Sequence, residues 1–247
     1  QHWLIELSKN IDGFRYSAFL HKDRGGKLQM GPAWDWNLSF GNADYHDGSD
    51  PTGWYYPMLR ESELCWFRRL NEDPDFAQRA IDRWGELRRS VCAPGTILKR
   101  VDEIAALLQE AQARNFSRWQ ILGRRVNPND FVGATYAEEI RWMKQWIQKR
   151  IAWIDGQFLT PPNLVAGSEG AKRGEAIVLK AVSGKILYTL DGSDPRMPGG
   201  AVSPKAASYS APVSLKPGAK LFARAHNRND WSSPTVVVQT SGDRADR

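Results

Sequence analysis

At Thr160-Pro161-Pro162 the sequence changes its period. Before this point apolar residues recur every three or four places, which is the spacing of a helix stripe. After it they come in short runs divided by glycine and proline turns, which is the spacing of small strands. A chain that changes in this way folds as a helical domain followed by a separate β domain. The 247 residues are enough for both. The expected fold class is therefore α+β and multidomain. The expected boundaries are 1–159 for the helical part, 162–240 for a small β-sandwich, and 241–247 for a polar tail.

The helical half can be read in order. In residues 1–9, Trp3, Leu4 and Leu7 predict one apolar face. Leu64, Phe67 and Leu70 predict a short helix ended by Asn71. Asp73-Pro74 is a helix start, with a cap residue followed by a first-turn proline. Phe76, Ala80, Ile81, Trp84, Leu87 and Val91 make the stripe that follows. Leu98, Val101, Ile104, Ala105, Leu108 and Ala111 make another, with a kink or short turn expected at 115–119. The longest helix spans about 135–158, on Tyr136, Ile140, Met143, Ile147, Ile151, Ile154 and Phe158. The arginines between these stripes read as solvated or ion-paired, with Arg68 or Arg83 as a partner for a buried acid. Beyond the boundary, strands are expected at 176–179, 185–190, 213–215, 220–225 and 235–238. The acids Asp191 and Asp194 sit in a turn cluster, which explains them better than calcium binding does.

One stretch does not fit a scaffold role. Residues 22–42 read K-D-R-G-G-K-L-Q-M-G-P-A-W-D-W-N-L-S-F-G-N. The charged turn separates two apolar runs, 17–20 and 28–30, and Gly25-Gly26 supplies the positive φ of a hairpin. Asp35 follows between Trp34 and Trp36, with Asn37 two places on. One reading makes Asp35 a turn cap or an arginine partner among core tryptophans. The other makes Asp35 and Asn37 oxygen ligands of Mg²⁺, which is commonly held by one or two carboxylates plus substrate phosphates. Upstream, Asp12 ends the first apolar segment and Ser17 stands five residues later. A loop Asp, a polar residue five on, a hairpin and a second Asp follow the order of a protein kinase's catalytic half. The usual His-Arg-Asp and Asp-Phe-Gly letters are absent.

The segments N-I-D-G-x-R-x-S at 10–17, K-D-R-G-G-K-L at 22–28, G-P-A-W-D-W-N-L-S-F-G-N at 31–42 and F-R-R-L-N-E-D-P-D-F at 67–76 resemble the CotH family. These are atypical, secretory-pathway-type protein kinases named for a bacterial spore-coat protein. The resemblance spans about residues 1–158. It implies a kinase-like fold that binds ATP and Mg²⁺ and phosphorylates a protein on Ser or Thr. Carried over, Asp35 is the metal-binding Asp and Asp12 the catalytic-loop residue. Asn37 stands where many members have Asp, and Ser17 where a kinase-type metal-binding Asn would stand. Both would help bind the cofactor, with Asn37 a second metal ligand. No Gly-rich loop precedes Asp12, so the chain reads as a fragment whose first lobe and signal peptide lie upstream. The Y-T-L-D-G-S-D-P turn at 188–195 and W-S-S-P at 231–234 resemble the chitobiase/hexosaminidase C-terminal module of extracellular bacterial enzymes, which implies an immunoglobulin-like β-sandwich.

Bulk properties narrow the rest. The formal net charge is +6, but the basic residues are dispersed, so nucleic acid is not an expected partner. No run of 18 apolar residues marks a membrane span. His46 and the acids Asp44, Asp47 and Asp50 lie in a polar loop at 43–56, read as a solvated turn region. Cys65 and Cys92 form a disulfide or two separate thiols. The expected location is extracellular or at the cell surface. The alternative function is a non-catalytic surface, adhesion or carbohydrate-binding protein on a kinase-like scaffold, with the sandwich meeting a cell-surface polysaccharide.

Overall fold

The computed structural model describes residues 1–63, 66–165, 176–216 and 218–238. In chain order they form α1 (His2–Ser8), β1 (Leu20–His21), β2 (Gln29–Met30), a 3₁₀ turn at Tyr56–Met58, α2 (Trp66–Glu72), α3 (Pro74–Arg88), α4 (Thr96–Leu107), α5 (Gln109–Arg118) and α6 (Tyr136–Asp155). Then come β3 (Asn163–Leu164), β4 (Ala176–Ile177), β5 (Leu179–Lys180), β6 (Lys185–Thr189), β7 (Ala207–Ser208), β8 (Val213–Ser214), β9 (Lys220–Asn227), β10 (Asp230–Trp231) and β11 (Thr235–Val238). The fold is α+β, a helical region followed by a β-rich one. Two compact units result: Gln1–Glu72 with Leu87–Gly156, and Asp73–Glu86 with Gln157–Arg247. Most of α3 thus groups with the β-rich region. Cys65 and the tail at 241–247 lie outside the described residues; Cys92 is a buried thiol.

In the first unit α1 buries Trp3, Ile5, Glu6 and Ser8. This corrects the expected face, because Leu4 is 47% exposed while a carboxylate takes the inner position. Glu6 is drawn in by partners: its carboxylate accepts from the Tyr55 amide at 3.0 Å, the Tyr56 amide at 2.8 Å and Arg150 Nη2 at 3.1 Å. Arg150 comes from α6 and is itself fully buried. Neither Arg68 nor Arg83 meets a buried acid; they pair with Glu61 and Glu86 at the surface. The core of this unit is built from Ile5, Ile11, Phe14, Tyr55, Leu59 and Phe67, with the Phe14 and Phe67 rings 4.3 Å apart. Thr135 caps α6 by accepting from the Glu138 amide at 3.2 Å, and Glu138 and Glu139 in the first turn suit its dipole. Two expectations fail here. Val91 lies past the end of α3 and is 61% exposed. The stripe from Leu98 to Ala111 breaks at Leu108, and the expected kink at 115–119 falls within and just past the last turn of α5.

In the second unit β6 and β9 pair antiparallel over Lys185↔His226 to Thr189↔Phe222, with β7 beside β6 and β10 and β11 beside β9. Two short antiparallel pairs, β3 with β5 and β4 with β8, supply the facing layer. Ile177, Leu179 and Leu215 from that layer meet Ile186, Leu221, Ala223 and Val237 from the larger sheet in one core. Two antiparallel layers over a shared apolar core make a small β-sandwich. Asp73 caps α3, accepting from the Asp75 amide at 2.8 Å and the Phe76 amide at 2.9 Å. The helix is bound to the sandwich by Arg224, which is 2% exposed and grips Asp82 at 2.6 and 2.8 Å and Asp194 at 2.8 and 2.6 Å. Arg196 pairs with Asp75 at 2.7 Å, and Gln78 donates to the Ser232 carbonyl at 3.2 Å.

Candidate functional site

The site begins where α1 stops. Lys9 takes a left-handed conformation (φ 46°) that ends the helix, and its ammonium donates to the Asp50 and Thr52 carbonyls at 2.9 and 2.7 Å. Burial lowers the Lys9 pKa, and Arg150 adds repulsion. The next residue, Asn10, is fully buried. Its Oδ1 accepts from the Asp12 amide at 3.0 Å, and its Nδ2 reaches the Asp35 carbonyl at 3.5 Å. One amide side chain therefore touches the backbone of both predicted site aspartates. Sequence reasoning gave Asn10 no role. Its place directly before Ile11-Asp12, past the end of a helix, was the available signal.

Backbone bonds extend this seam. The Ile11 amide donates to Leu38 O at 3.3 Å and the Phe40 amide to Ser8 O at 2.7 Å. Trp36 Nε1 donates to Ser8 Oγ at 3.1 Å. Residues 35–40 are thereby laid along residues 8–11, which brings the Asp12 loop and the Asp35 segment side by side.

The two aspartates have different surroundings. Asp12 is half-buried and pairs with Arg15 at 3.2 Å, and Arg15 pairs in turn with Glu63 at 2.8 Å. The Asp12 carbonyl accepts the amides of Arg15, Tyr16 and Ser17 at 3.0, 2.9 and 2.9 Å, which folds the loop tightly. Burial opposes the Arg15 charge, yet the hydrogen bond to Glu63 holds its pKa above the ordinary value. The amide of Arg60 and the side chain of Arg15 hold the Glu63 carboxyl below its usual range. A polar cleft of about 240 Å³ opens here, lined by Arg15, His46, Tyr55, Met58, Arg60 and Glu63.

Asp35 is exposed, and its carboxylate accepts no hydrogen bond from the described residues. The expected arginine partner is not met, and of the two tryptophans only Trp36 joins the core, half-buried against it. Trp34 is 53% exposed and meets Phe19 edge-on at 5.9 Å. Asp35 has φ 55° and Phe40 φ 53°. A side chain in this region costs of order 1–2 kcal/mol relative to the right-handed one, so the seam must hold it there. Asn37 is exposed, and its carbonyl accepts from Asn42 Nδ2 at 2.9 Å. Ser17, by contrast, is 2% exposed. The hairpin between them forms as expected, with Leu20↔Met30 and His21↔Gln29 in register.

Two open oxygen groups, one of them a carboxylate, suit a hard divalent cation. Among the described residues no three His, Cys, Asp or Glu side chains converge on a metal position. Mg²⁺ held here would need the remainder of its shell from phosphates and water, which is its usual habit. The acids of the 43–56 loop are not part of such a cluster: Asp44 pairs with Arg125, and Asp50 accepts from the Thr52 amide at 2.8 Å. Asp191 and Asp194 serve turns, accepting the Ser193 and Arg196 amides at 2.9 Å.

No helix of the described residues is long and apolar enough to cross a membrane. Comparison with known proteins found no match among curated proteins and none among solved structures. A family profile described as Fn3 associated matches residues 177–240, in the β-rich region. A profile described as CotH kinase protein matches residues 3–154, which includes both aspartates and the seam between them. The chain belongs to the CotH kinase protein family.

Proposed function

We propose that this chain carries the Asp12 and Asp35 part of a protein kinase that moves the γ-phosphoryl group of ATP to a Ser or Thr hydroxyl of a protein. The observation that supports it is the Asn10 side chain, which ties the backbones of Asp12 and Asp35 together while leaving the Asp35 carboxylate open. In this assignment Asp35 and Asn37 hold Mg²⁺, which when bound offsets the phosphate charge that builds up during transfer. Asp12 would orient the acceptor hydroxyl and take its proton as that oxygen bonds to the γ-phosphorus and the bond to the bridging oxygen breaks, with ADP leaving. Arg15 fixes the Asp12 rotamer through its 3.2 Å contact. Ser17 positions the loop and supports the nucleotide side of the site from within. The protein acts outside the cell or on its surface, in keeping with the spore-coat origin of the family name and with the appended β-module.

Calorimetric titration of ATP–Mg²⁺ into the full-length protein, wild type beside Asp35→Ala, tests this. Binding that vanishes in a folded Asp35→Ala protein is the expected result. Undiminished binding or phosphotransfer would remove Asp35 from the site. Asp12→Asn should keep nucleotide binding and lose phosphotransfer by about 10²-fold or more, the scale of a positioned acid–base group.

One observation favours a second reading, a non-catalytic surface protein on this scaffold. Ser17 is 2% exposed and presents little oxygen to a metal or phosphate. Absence of any ATP–Mg²⁺ binding by folded full-length protein would favour it. Stacking of a sugar on tryptophan in the β-rich region has less support, because Trp231 there is 3% exposed and donates to the Gly200 carbonyl at 2.9 Å.

A further inference from the structure

Two carboxylates in the first unit share one guanidinium. The side chains of Asp12, Arg15 and Glu63 are 22%, 10% and 18% exposed, so the cation and both acids are largely shielded. Each nitrogen of the guanidinium has an acceptor. Arg15 Nε donates to the Ile11 carbonyl at 3.1 Å, Nη1 to Glu63 Oε1 at 2.8 Å and Nη2 to Asp12 Oδ1 at 3.2 Å. Glu63 is anchored in turn. Its Oε2 accepts the Arg60 amide at 2.8 Å, and its own amide donates to the Arg60 carbonyl at 3.0 Å.

This arrangement decides how Arg15 can hold Asp12. A guanidinium offers two forks, Nε with Nη2 and Nη1 with Nη2, and a carboxylate commonly takes one of them with both oxygens. Here both forks are already half-filled. The Ile11 carbonyl occupies Nε and Glu63 occupies Nη1, so Asp12 meets Nη2 alone, through one oxygen. Asp12 Oδ2 accepts no hydrogen bond from the described residues. The block at Nε is local, because Ile11 lies four residues from Arg15. The block at Nη1 is not: it is a side chain from 48 residues further along the chain.

We propose that Glu63 is a positioning residue: by occupying Arg15 Nη1 it keeps Arg15 from closing on both oxygens of Asp12, and so leaves Oδ2 open to the acceptor hydroxyl. The task of the open oxygen rests on the kinase assignment above; the half-filled fork does not. Glu63 touches neither acceptor nor nucleotide in this role and acts only through Arg15. With Glu63 gone, Asp12 becomes the one carboxylate left to that guanidinium. The pair then closes as a fork, and Asp12 is held firmly but with no oxygen to spare.

The test uses the full-length protein, wild type beside Glu63→Ala, with dephosphorylated casein as the acceptor probe. The kcat should fall by about tenfold to 10²-fold, the scale for a misplaced reacting group, while the KM for casein and the calorimetric affinity for ATP–Mg²⁺ stay at wild-type values. In an Arg15→Met background Glu63→Ala should cost nothing further, since no fork is left to close. Glu63→Gln keeps an oxygen for Nη1 and should fall between wild type and alanine; it replaces the alanine variant if that one does not fold. Structures of the wild type and of Glu63→Ala give a readout apart from activity, with both Asp12 oxygens expected on Arg15 in the variant. Unchanged kcat, losses from Glu63→Ala and Arg15→Met that add, or an Asp12 Oδ2 still free of Arg15 in the variant overturns the proposal. If the wild type transfers no phosphate, the structures decide alone. A closed fork in Glu63→Ala then upholds the role of Glu63 and strikes down the kinase assignment, and an open one overturns the role itself.

Discussion

Among the described residues, each unit has one arginine in its buried class, and the two are held in opposite ways. Arg150 is 0% exposed and donates chiefly to carbonyls: Glu6 at 2.9 and 2.7 Å, Pro51 at 3.0 Å and Gly53 at 2.6 Å. It has a single carboxylate, Glu6, and lies over the Trp153 and Trp54 rings at 5.0 and 5.8 Å. Burial pulls its pKa down to about 10 despite Glu6. Arg224 is nearly as buried, but two carboxylates face it, and their hydrogen bonds raise its pKa against the effect of burial. Those carboxylates, Asp82 and Asp194, keep side-chain exposures of 26% and 35%. The first arginine organises backbone in a dry interior. The second joins a helix to a sheet with acids that water can reach. Equal burial of the cation therefore does not imply equal dependence on it, because the environment of the partner decides what is stranded on removal.

The largest expected effect follows from that. Arg150→Met leaves the Glu6 carboxylate without its cation and the Pro51 and Gly53 carbonyls without this donor, and urea unfolding should show a loss of about 3–5 kcal/mol. A loss below that of Arg224→Met would invert the comparison. Arg224→Met should cost less, about 1.5–3 kcal/mol, the range for hydrogen bonds to charged groups, since its acids regain hydration. Glu6→Gln sharpens the first case through pH. Burial raises the Glu6 pKa above its ordinary 4.5, with the Tyr55 amide and Arg150 pulling it back. A carboxyl whose folded pKa exceeds its unfolded value supports the fold fully below about pH 4.5 and loses that support as pH rises through the folded pKa. Wild-type stability should thus fall relative to Glu6→Gln across that window. Parallel curves would place the Glu6 proton elsewhere. The smallest effect is expected at an exposed pair: Lys205→Ala removes the 2.9 Å contact to Asp191 and should leave the melting temperature unresolved from wild type.

What could be read from the sequence was what repeats or punctuates. The α6 stripe and the Asp73-Pro74 start are local patterns, and both elements form where expected. The adjacency of the Asp12 and Asp35 segments followed from motif order. The buried ion pairs were not legible, because Glu6 and Arg150 are 144 residues apart and Asp82 and Arg224 are 142 apart. Periodicity treats each of those residues as a polar position on its own helix or strand. The same blindness moved the buried face of α1 from Leu4 to Glu6, since the distant Tyr55 and Tyr56 amides and the α6 guanidinium make that position tolerable. Asn10 escaped notice for a different reason. Its two contacts go to a backbone amide and a backbone carbonyl, and backbone groups leave no letter in the sequence.

Helix α3 lies inside the span of the CotH match, yet Asp75, Gln78 and Asp82 are bound by Arg196, Ser232 and Arg224 of the β-rich region. That arrangement bears on how such chains can be recombined. A cut at Thr160-Pro161-Pro162 looks clean on paper, but it would strip an acidic helix face of its counter-ions. Any transplanted β-module would have to bring two guanidinium groups at matching positions, or the recipient would have to lose its aspartates in the same step.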